Sequence, residues 1–185
     1  MSVRIYATDN PAGYAADGTR SGGLRVTPGI CAGMTAVWCL KMGIGLNEAN
    51  TKPGLAESTI AQFDYDGNNK NAGAVALKFL PKARLVLYDG GAWNETGSNS
   101  CKNVIQQPQN TFFFWGYPGH AIGTAKRDGY YYLFDPDKGL DKFSSVKEFQ
   151  QHVLDTYAAH INKSWWLFSV KPDPAEKGIS YAINQ

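Results

Sequence analysis

Residues 111–139 read TFFFWGYPGHAIGTAKRDGYYYLFDPDKG and carry the clearest strand signals in the chain. Three runs in this stretch, Thr111–Trp115, Ala121–Lys126 and Tyr130–Phe134, are rich in β-branched or aromatic residues and are bounded by turn residues. Such runs are typical of successive strands. Asp128-Gly129, between the second and third runs, is a strong hairpin signal. The stretch therefore predicts an antiparallel sheet.

A buried helix is predicted on the N-terminal side of these strands. The segment Ala32–Met42 contains no proline and only one glycine, and its Met34, Trp38 and Met42 recur every four residues. This spacing places three large side chains on one face of a helix that begins near Cys31.

The remaining elements complete an α+β pattern, because helices come first and antiparallel strands follow. Ser145 and Glu148 fit a capping box that opens a late helix. The further predicted elements are helices at Leu55–Phe63, at Ala72–Leu80 (ended by Pro81) and from Ser145 to about His160, and strands at Val3–Tyr6, Arg84–Tyr88 and Ser164–Val170.

Length and composition limit the classes of protein to which this chain can belong. The 185 residues predict a single domain over 1–185, in which the glycine-rich residues 1–28 form an irregular N-terminal arm. A chain of this length can bury a core without a metal or a disulfide. The net charge of +2 gives no electrostatic footprint for nucleic acid, and the lack of a long apolar run argues against a membrane span. We expect a monomer without cofactor or metal.

The compartment is predicted from the cysteines and the first residues. Three cysteines are too few, and odd in number, for a disulfide framework, which favours a reducing compartment. The opening MSVRIYATDNPAGY contains no apolar signal-peptide core. We therefore expect either a cytoplasmic protein or one that is secreted without a signal peptide and acts in a reducing compartment such as a target-cell cytosol.

Cys31 is the first candidate catalytic residue. It follows Pro28-Gly29-Ile30 at the predicted start of a helix. The positive end of the helix dipole and the free backbone N–H groups there favour a thiolate, which is the nucleophilic form of cysteine. The alternative is that Cys31 is a small buried apolar residue.

His120 and Asp135 are the candidate partners of such a nucleophile. His120 has small neighbours and heads one predicted strand, and Asp135 ends the next. If the two strands pair around Asp128-Gly129, both residues lie at the same end of the sheet. A carboxylate placed there can orient an imidazole through its second nitrogen. Asp137 is a competing carboxylate, and surface or turn roles are the alternatives for these residues.

Three segments of the chain occur in an informative order. The first is Gly29-Ile30-Cys31-Ala32-Gly33-Met34 with Trp38, the second is Gly119-His120-Ala121, and the third is Phe134-Asp135-Pro136-Asp137. Together they resemble the YopT-type cysteine peptidases of the papain-like superfamily. The gap of 15 residues between positions 120 and 135 also suits that family.

The resemblance implies a papain-like fold, in which N-terminal helices carry Cys31 and an antiparallel sheet carries His120 and Asp135. It implies Cys31 as the nucleophile, His120 as the general base and acid, and Asp135 as the orienting carboxylate. Bacterial relatives in this family are often effector toxins delivered into other cells.

The oxyanion donor is where the chain departs from the family pattern. Papain-like enzymes usually place a Gln or another polar side chain a few residues before the cysteine, whereas Arg25–Pro28 contains neither Gln nor Asn. The backbone N–H of Cys31 can serve as one donor. Asn10 and Thr27 are candidates for the second.

Other cysteines, histidines and acids are predicted to be structural. Cys39 is expected to pack inside the first helix, and Cys101 lies in a polar stretch where it could be exposed. His152 and His160 are expected on the late helix as surface or core residues. Asp64–Asn69 fits a turn better than a calcium loop. We find no Cys/His set with the spacing of metal ligands.

Three functions stay open at this point. The leading hypothesis is a cysteine peptidase that cleaves a protein of another cell by acyl transfer. The same residues would serve a peptidoglycan amidase or endopeptidase, or a glutamine deamidase. A non-catalytic binding protein is the third.

Overall fold

The computed structural model describes residues 2–8, 29–68, 71–117 and 119–175. Within them, antiparallel strands form one sheet in the order β1-β6-β5-β4-β3-β7-β2. The strands are β1 Ser2–Tyr6, β2 Leu85–Thr96, β3 Thr111–Tyr117, β4 His120–Arg127, β5 Tyr130–Asp135, β6 Gly139–Phe143 and β7 Ser164–Pro172.

Helices cover both faces of this sheet. The helices are α1 Cys31–Gly43, α2 Leu55–Asn68, α3 Ala72–Ala74, α4 Leu80–Lys82, α5 Gly97–Gln106 and α6 Val146–Thr156, with a 3-10 turn at Glu48–Thr51 and a π turn at Val75–Phe79. The first core lies between the sheet and α1, and the second lies between the sheet and α5 with α6. None of the helices in the described part of the chain is long and apolar enough to cross a membrane.

Strand alternation explains why the aromatic run of β3 is buried on both sides. Phe112 and Phe114 belong to the α1 core, whereas Phe113 and Trp115 belong to the α5–α6 core. The Trp165–Trp166 pair of β7 divides in the same way, as its position in a strand predicts. A sheet covered on both faces needs continuous apolar runs, and β3 supplies one.

The mixed α+β architecture is confirmed. Helix α1 begins at Cys31, and the β4–β5 hairpin turns at Asp128 (φ 53°) and Gly129 (φ 81°), as positive φ at both central residues of a tight hairpin requires. The single-domain prediction for 1–185 stays a prediction. Residues 9–28, which hold most of the proposed N-terminal arm, lie outside the described residues.

Helix α1 lies directly against β4. Ala121 accepts a hydrogen bond through its backbone oxygen from the Thr35 hydroxyl (3.2 Å). The ring of Trp38 covers Gly123 so closely that a Cβ at position 123 would lie 2.5 Å from it. Trp38 also stacks on Phe134, the cross-strand partner of Gly123, with ring centroids 5.4 Å apart. A glycine at this point of β4 therefore sets how closely α1 approaches the sheet.

Helix α1 also packs closely against α2. A Cβ at Gly33 would lie 1.9 Å from the backbone oxygen of Ser58. The N–H of Gly33 donates to Gln62 Oε1 at 2.9 Å. This close approach fixes the first turn of α1 between α2 and the sheet.

Three helix boundaries differ from the prediction. Pro81 does not end the third helical stretch, because α3, the π turn and α4 follow one another without a break and the helical run ends at Lys82. The late helix ends at Thr156 rather than near His160, and the Ser145 side chain makes no cap hydrogen bond. The residues from Asp64 onward continue α2 instead of forming a turn.

Two elements of the structure, helix α5 and strand β6, are not predicted from the sequence. Thr96 caps α5 by accepting from the N–H of Asn99, so Cys101 lies on a helix and is fully buried instead of exposed. The short strand β6, GLDKF, was not predicted because it follows a turn at once and has no clear alternation.

Gly123→Ala is expected to lower the free energy of unfolding by about 1–3 kcal/mol, the usual cost of overpacking a core. Urea unfolding followed by tryptophan fluorescence measures the change. Gly67→Ala is the matched control, because it lies on α2 with no atom near its Cβ position. Equal stability of the two variants would contradict the role given to Gly123.

Candidate active site

Cys31 is the first residue of α1, and its side chain is partly exposed. The preceding Ile30 occupies the N-cap position without a side-chain cap. Of the N–H groups in this first turn, that of Gly33 donates to Gln62 Oε1, and that of Cys31 lies at the helix start beside its own side chain. This is where the sequence pattern predicts the nucleophile.

His120 and Asp135 come together at the end of the sheet above this helix start. The β4–β5 register pairs Gly123 with Phe134, which leaves the first residue of β4 beside the last residue of β5. His120 Nε2 lies 2.9 Å from Asp135 Oδ1, and the two side chains are only 10% and 5% exposed. The competing carboxylate of Asp137 is 3.8 Å from the same nitrogen and half exposed.

The ring of His120 interacts with Cys31 as well as with Asp135. Burial opposes protonation of the imidazole, but hydrogen bonds to Asp135 and Cys31 outweigh it and raise the pKa of His120 above its ordinary value. Because Nε2 is bonded to Asp135, Nδ1 is the nitrogen left for the sulfur. The raised pKa favours the imidazolium form of His120, and this ring lies next to Cys31.

Asp135 is a buried carboxylate with several donors. Tyr157 Oη donates to Oδ2 at 2.7 Å, and the N–H of Asp137 donates to Oδ1 at 3.0 Å. Lys138 Nζ lies 3.5 Å from Oδ2. Burial alone would raise the pKa of Asp135, but the hydrogen bond and charge of His120, followed by the bond from Tyr157, hold it below the usual value.

Aromatic side chains enclose the pair. Tyr117 meets the His120 ring edge-on, with centroids 5.6 Å apart, and also contacts Tyr157 and Trp165. On the α2 side, burial and the charge of Cys31 raise the pKa of Tyr65 to about 12. Ordered aromatic surroundings restrict how far the imidazole can rotate.

The other predicted candidates lie away from this cluster. Cys39 is buried and its thiol donates to the Phe113 carbonyl, and burial raises its pKa. Burial likewise raises the pKa of Cys101 to about 12. His152 lies on α6, 3.9 Å from an Asp141 oxygen, and His160 lies in the turns after α6, against Tyr117. Among the described residues Cys31 is thus the thiol with access to solvent.

Two parts of the candidate site need separate mention. Asn10 and Thr27, the candidate second oxyanion donors, lie outside the described residues. Within the described part of the chain, His120, Asp135 and Asp137 offer atoms within 4.8 Å of one another and form the one group that could hold a metal ion. Two of those atoms, His120 Nε2 and Asp135 Oδ1, already bond to each other.

The fold of this chain is similar to that of a solved structure. The avirulence protein AvrPphB of Pseudomonas superposes with a TM-score of 0.61 at 15% identity, over 77% of this chain and 91% of that one. The chain has a papain-like fold. No protein-family model and no curated protein sequence matches it.

Two further solved structures match the chain at lower TM-scores. PatoxP, a cysteine protease-like domain of the Photorhabdus asymbiotica toxin PaTox, gives a TM-score of 0.48 at 10% identity over 89% of this chain and 54% of that one. The ubiquitin-specific protease of murine cytomegalovirus tegument protein M48 gives 0.47 at 12% identity over 92% and 84%.

Tyr157, Lys138 and Tyr117 are the site residues that sequence reasoning missed. Tyr157 follows α6 in a turn and belongs to no motif, so nothing in its neighbourhood along the chain connects it with Asp135. Lys138 and Tyr117 flank quoted segments, but their side-chain directions depend on the folded sheet. Only the three predicted residues carried a sequence signal.

Tyr157→Phe is expected to keep the ring packing and remove the donor to Asp135. The free energy of unfolding near neutral pH should fall by about 1.5–3 kcal/mol, the range for hydrogen bonds to charged groups. A carboxyl with a lowered native pKa contributes stability that is lost as the pH falls through that pKa. Because the variant raises the native pKa of Asp135, its loss of stability on acidification should begin at a higher pH.

Urea unfolding from about pH 3 to 8 tests this expectation. Tyr130→Phe is the control, because Tyr130 is an exposed residue of β5 with a Lys142 ammonium over its ring. Identical acid profiles for wild type and Tyr157→Phe would show that Tyr157 does not support the carboxylate.

Proposed function

We propose that this chain is a cysteine peptidase that works through a covalent acyl-enzyme. Cys31 is the nucleophile, His120 the general base and acid, and Asp135 the carboxylate that orients His120. The observation that carries the proposal is the 2.9 Å contact between His120 Nε2 and Asp135 Oδ1, beside a partly exposed cysteine at a helix start. The papain-like fold supports it.

The chemistry follows from the positions of the three groups. The Cys31 sulfur attacks the carbonyl carbon of a peptide bond and forms a C–S bond, and the negative charge moves to the carbonyl oxygen. The Cys31 N–H at the start of α1 can donate to that oxygen. The His120 imidazolium gives a proton to the leaving amine nitrogen as the C–N bond breaks, which leaves a thioester.

Hydrolysis of the thioester restores the enzyme. The neutral imidazole of His120 takes a proton from a water molecule while the water oxygen attacks the acyl carbon. The C–S bond then breaks, the carboxylic acid leaves and the thiolate–imidazolium pair returns. Asp135 keeps the ring in the orientation that presents one nitrogen to Cys31 throughout.

The proposed place of action is the cytosol of another cell. Support comes from the similarity to an avirulence protein and from the three cysteines, which are all free. A catalytic thiolate stays reduced most readily in a reducing compartment. A protein of that cell is the proposed substrate.

Alkylation by iodoacetamide tests the nucleophile. We expect Cys31 alone to react in the folded protein, because Cys39 and Cys101 are buried and the Cys31 sulfur lies beside the His120 imidazole. His120→Ala should slow the reaction at about pH 6 at least tenfold, whereas His152→Ala should leave it unchanged. Mass spectrometry of each cysteine peptide gives the rates.

The same preparation supplies the contradicting outcome and the control for folding. Cys31→Ala should unfold at the same urea concentration as wild type while losing all alkylation of the folded state. The peptidase proposal would be contradicted if the alkylation rate of Cys31 were the same in wild type and His120→Ala. It would also be contradicted if that rate equalled the rates of Cys39 and Cys101.

A further inference from the structure

Tyr65 lies on α2, and its ring packs against the core between the sheet and α1. The ring meets Phe79 edge-on, with centroids 5.1 Å apart, and is tilted against Phe114 at 6.3 Å. Both phenylalanines are fully buried. Because side chains in a packed core occupy one rotamer, these contacts fix the position of the Tyr65 hydroxyl.

The hydroxyl of Tyr65 lies over β3. Phe112 and Phe114 of this strand face the α1 core, and strand alternation places Gly116 on the same face. A Cβ at Gly116 would lie 4.0 Å from Tyr65 Oη. Gly116 pairs with Ala121, the residue that follows His120. The hydroxyl therefore lies at the end of the sheet that carries His120, on the face covered by α1.

The first turn of α1 lies at the same place. The Gly33 N–H donates to Gln62 Oε1 at 2.9 Å, and Gln62 is one helical turn before Tyr65 on α2. Cys31, at the start of that turn, packs against the same core as Tyr65 and forms a hydrogen bond with His120. The Tyr65 hydroxyl and the Cys31 sulfur therefore approach the same end of the sheet from two helices.

The electrostatics agree with this placement. Burial, followed by the negative charge of Cys31, raises the pKa of Tyr65 to about 12. The hydroxyl thus lies within the field of the Cys31 sulfur. It also keeps its proton at neutral pH, so it is available as a hydrogen-bond donor.

A donor at this place has a use in acyl transfer. When the sulfur attacks a carbonyl carbon, the new C–S bond forms and an electron pair moves to the carbonyl oxygen. Backbone N–H groups and side chains that include Tyr stabilise such an oxyanion. The Cys31 N–H is one donor at the start of α1, and a second donor would share the charge.

We propose that the Tyr65 hydroxyl is the second oxyanion donor. The inference rests on the proposed peptidase function and adds a catalytic residue to it. The hydroxyl donates a hydrogen bond to the carbonyl oxygen while that oxygen carries the negative charge, and it keeps its own proton. When the C=O bond re-forms and the leaving group departs, the hydrogen bond weakens again. Asn10 and Thr27 are the competing donors.

The test compares two reactions of the same sulfur. p-Nitrophenyl acetate acetylates Cys31 through a tetrahedral oxyanion, and p-nitrophenolate leaves. Iodoacetamide alkylates Cys31 by direct displacement of iodide, without an oxyanion. A donor to the oxyanion therefore accelerates the first reaction and not the second. Mass spectrometry of the Cys31 peptide gives both rates, and neither reagent requires knowledge of the substrate sequence.

Tyr65→Phe should slow acetylation of Cys31 about 100-fold, the usual effect of removing one oxyanion donor, and should leave its alkylation unchanged. Tyr88→Phe is the matched control, because Tyr88 is an exposed residue of β2, and it should change neither rate. Urea unfolding of both variants reports on the fold.

Variants of the competing donors test the proposal without any change at Tyr65. Asn10→Ala and Thr27→Ala should keep the wild-type ratio of acetylation to alkylation. A large fall of that ratio in either variant, or no fall in Tyr65→Phe, would overturn the assignment of Tyr65 and leave the peptidase. An equal fall of both rates in Tyr65→Phe would show that Tyr65 positions Cys31 instead of binding the oxyanion, and would overturn the donor role.

Failure of the proposed function gives a different result. If wild type were alkylated in a His120-dependent manner but never acetylated, acyl transfer and the Tyr65 donor would both be overturned. Normal acetylation of wild type, with an unchanged rate in Tyr65→Phe, would overturn only the donor.

Discussion

The contact between Trp38 and Gly123 is the constraint on which the rest of the site depends. Gly123 lies on β4, three residues after His120, and Trp38 lies on the helix that begins with Cys31. The same strand therefore holds the proposed base and packs against the helix of the proposed nucleophile. Any side chain at position 123 would push α1 away from the sheet and separate the sulfur from the imidazole, because a packed core transmits such displacements.

The buried carboxylate of Asp135 is the second constraint. A charge is stable inside a protein only where donors and opposite charges replace its water. Here the donors come from β4, from the turn after β5 and from Tyr157 of the α5–α6 core, whereas Cys31 is in contact with the α1 core. The site thus joins the two layers of the protein across one end of the sheet, and its charge balance depends on both.

Local patterns in the sequence account for the parts that could be predicted. The four-residue spacing of large apolar side chains predicts α1. The Asp128-Gly129 turn predicts a hairpin register that brings His120 and Asp135 to the same end of the sheet. Tyr157 could not be found, because its link to Asp135 is a long-range contact of a residue in a turn. The placement of β7 between β3 and β2 could not be predicted either, because the order of strands beyond a hairpin depends on long-range contacts.

The chain keeps its reactive groups apart until the sheet is complete. Cys31 begins the helix that follows β1, whereas His120 and Asp135 lie on a hairpin far along the chain. Bringing the three residues together costs loop-closure entropy, which native packing offsets. In the unfolded protein Cys31 is one ordinary thiol among three. A chain held unfolded by a chaperone or a narrow channel would therefore lack the proposed activity. Fast alkylation of Cys31 would then show that the chain has folded.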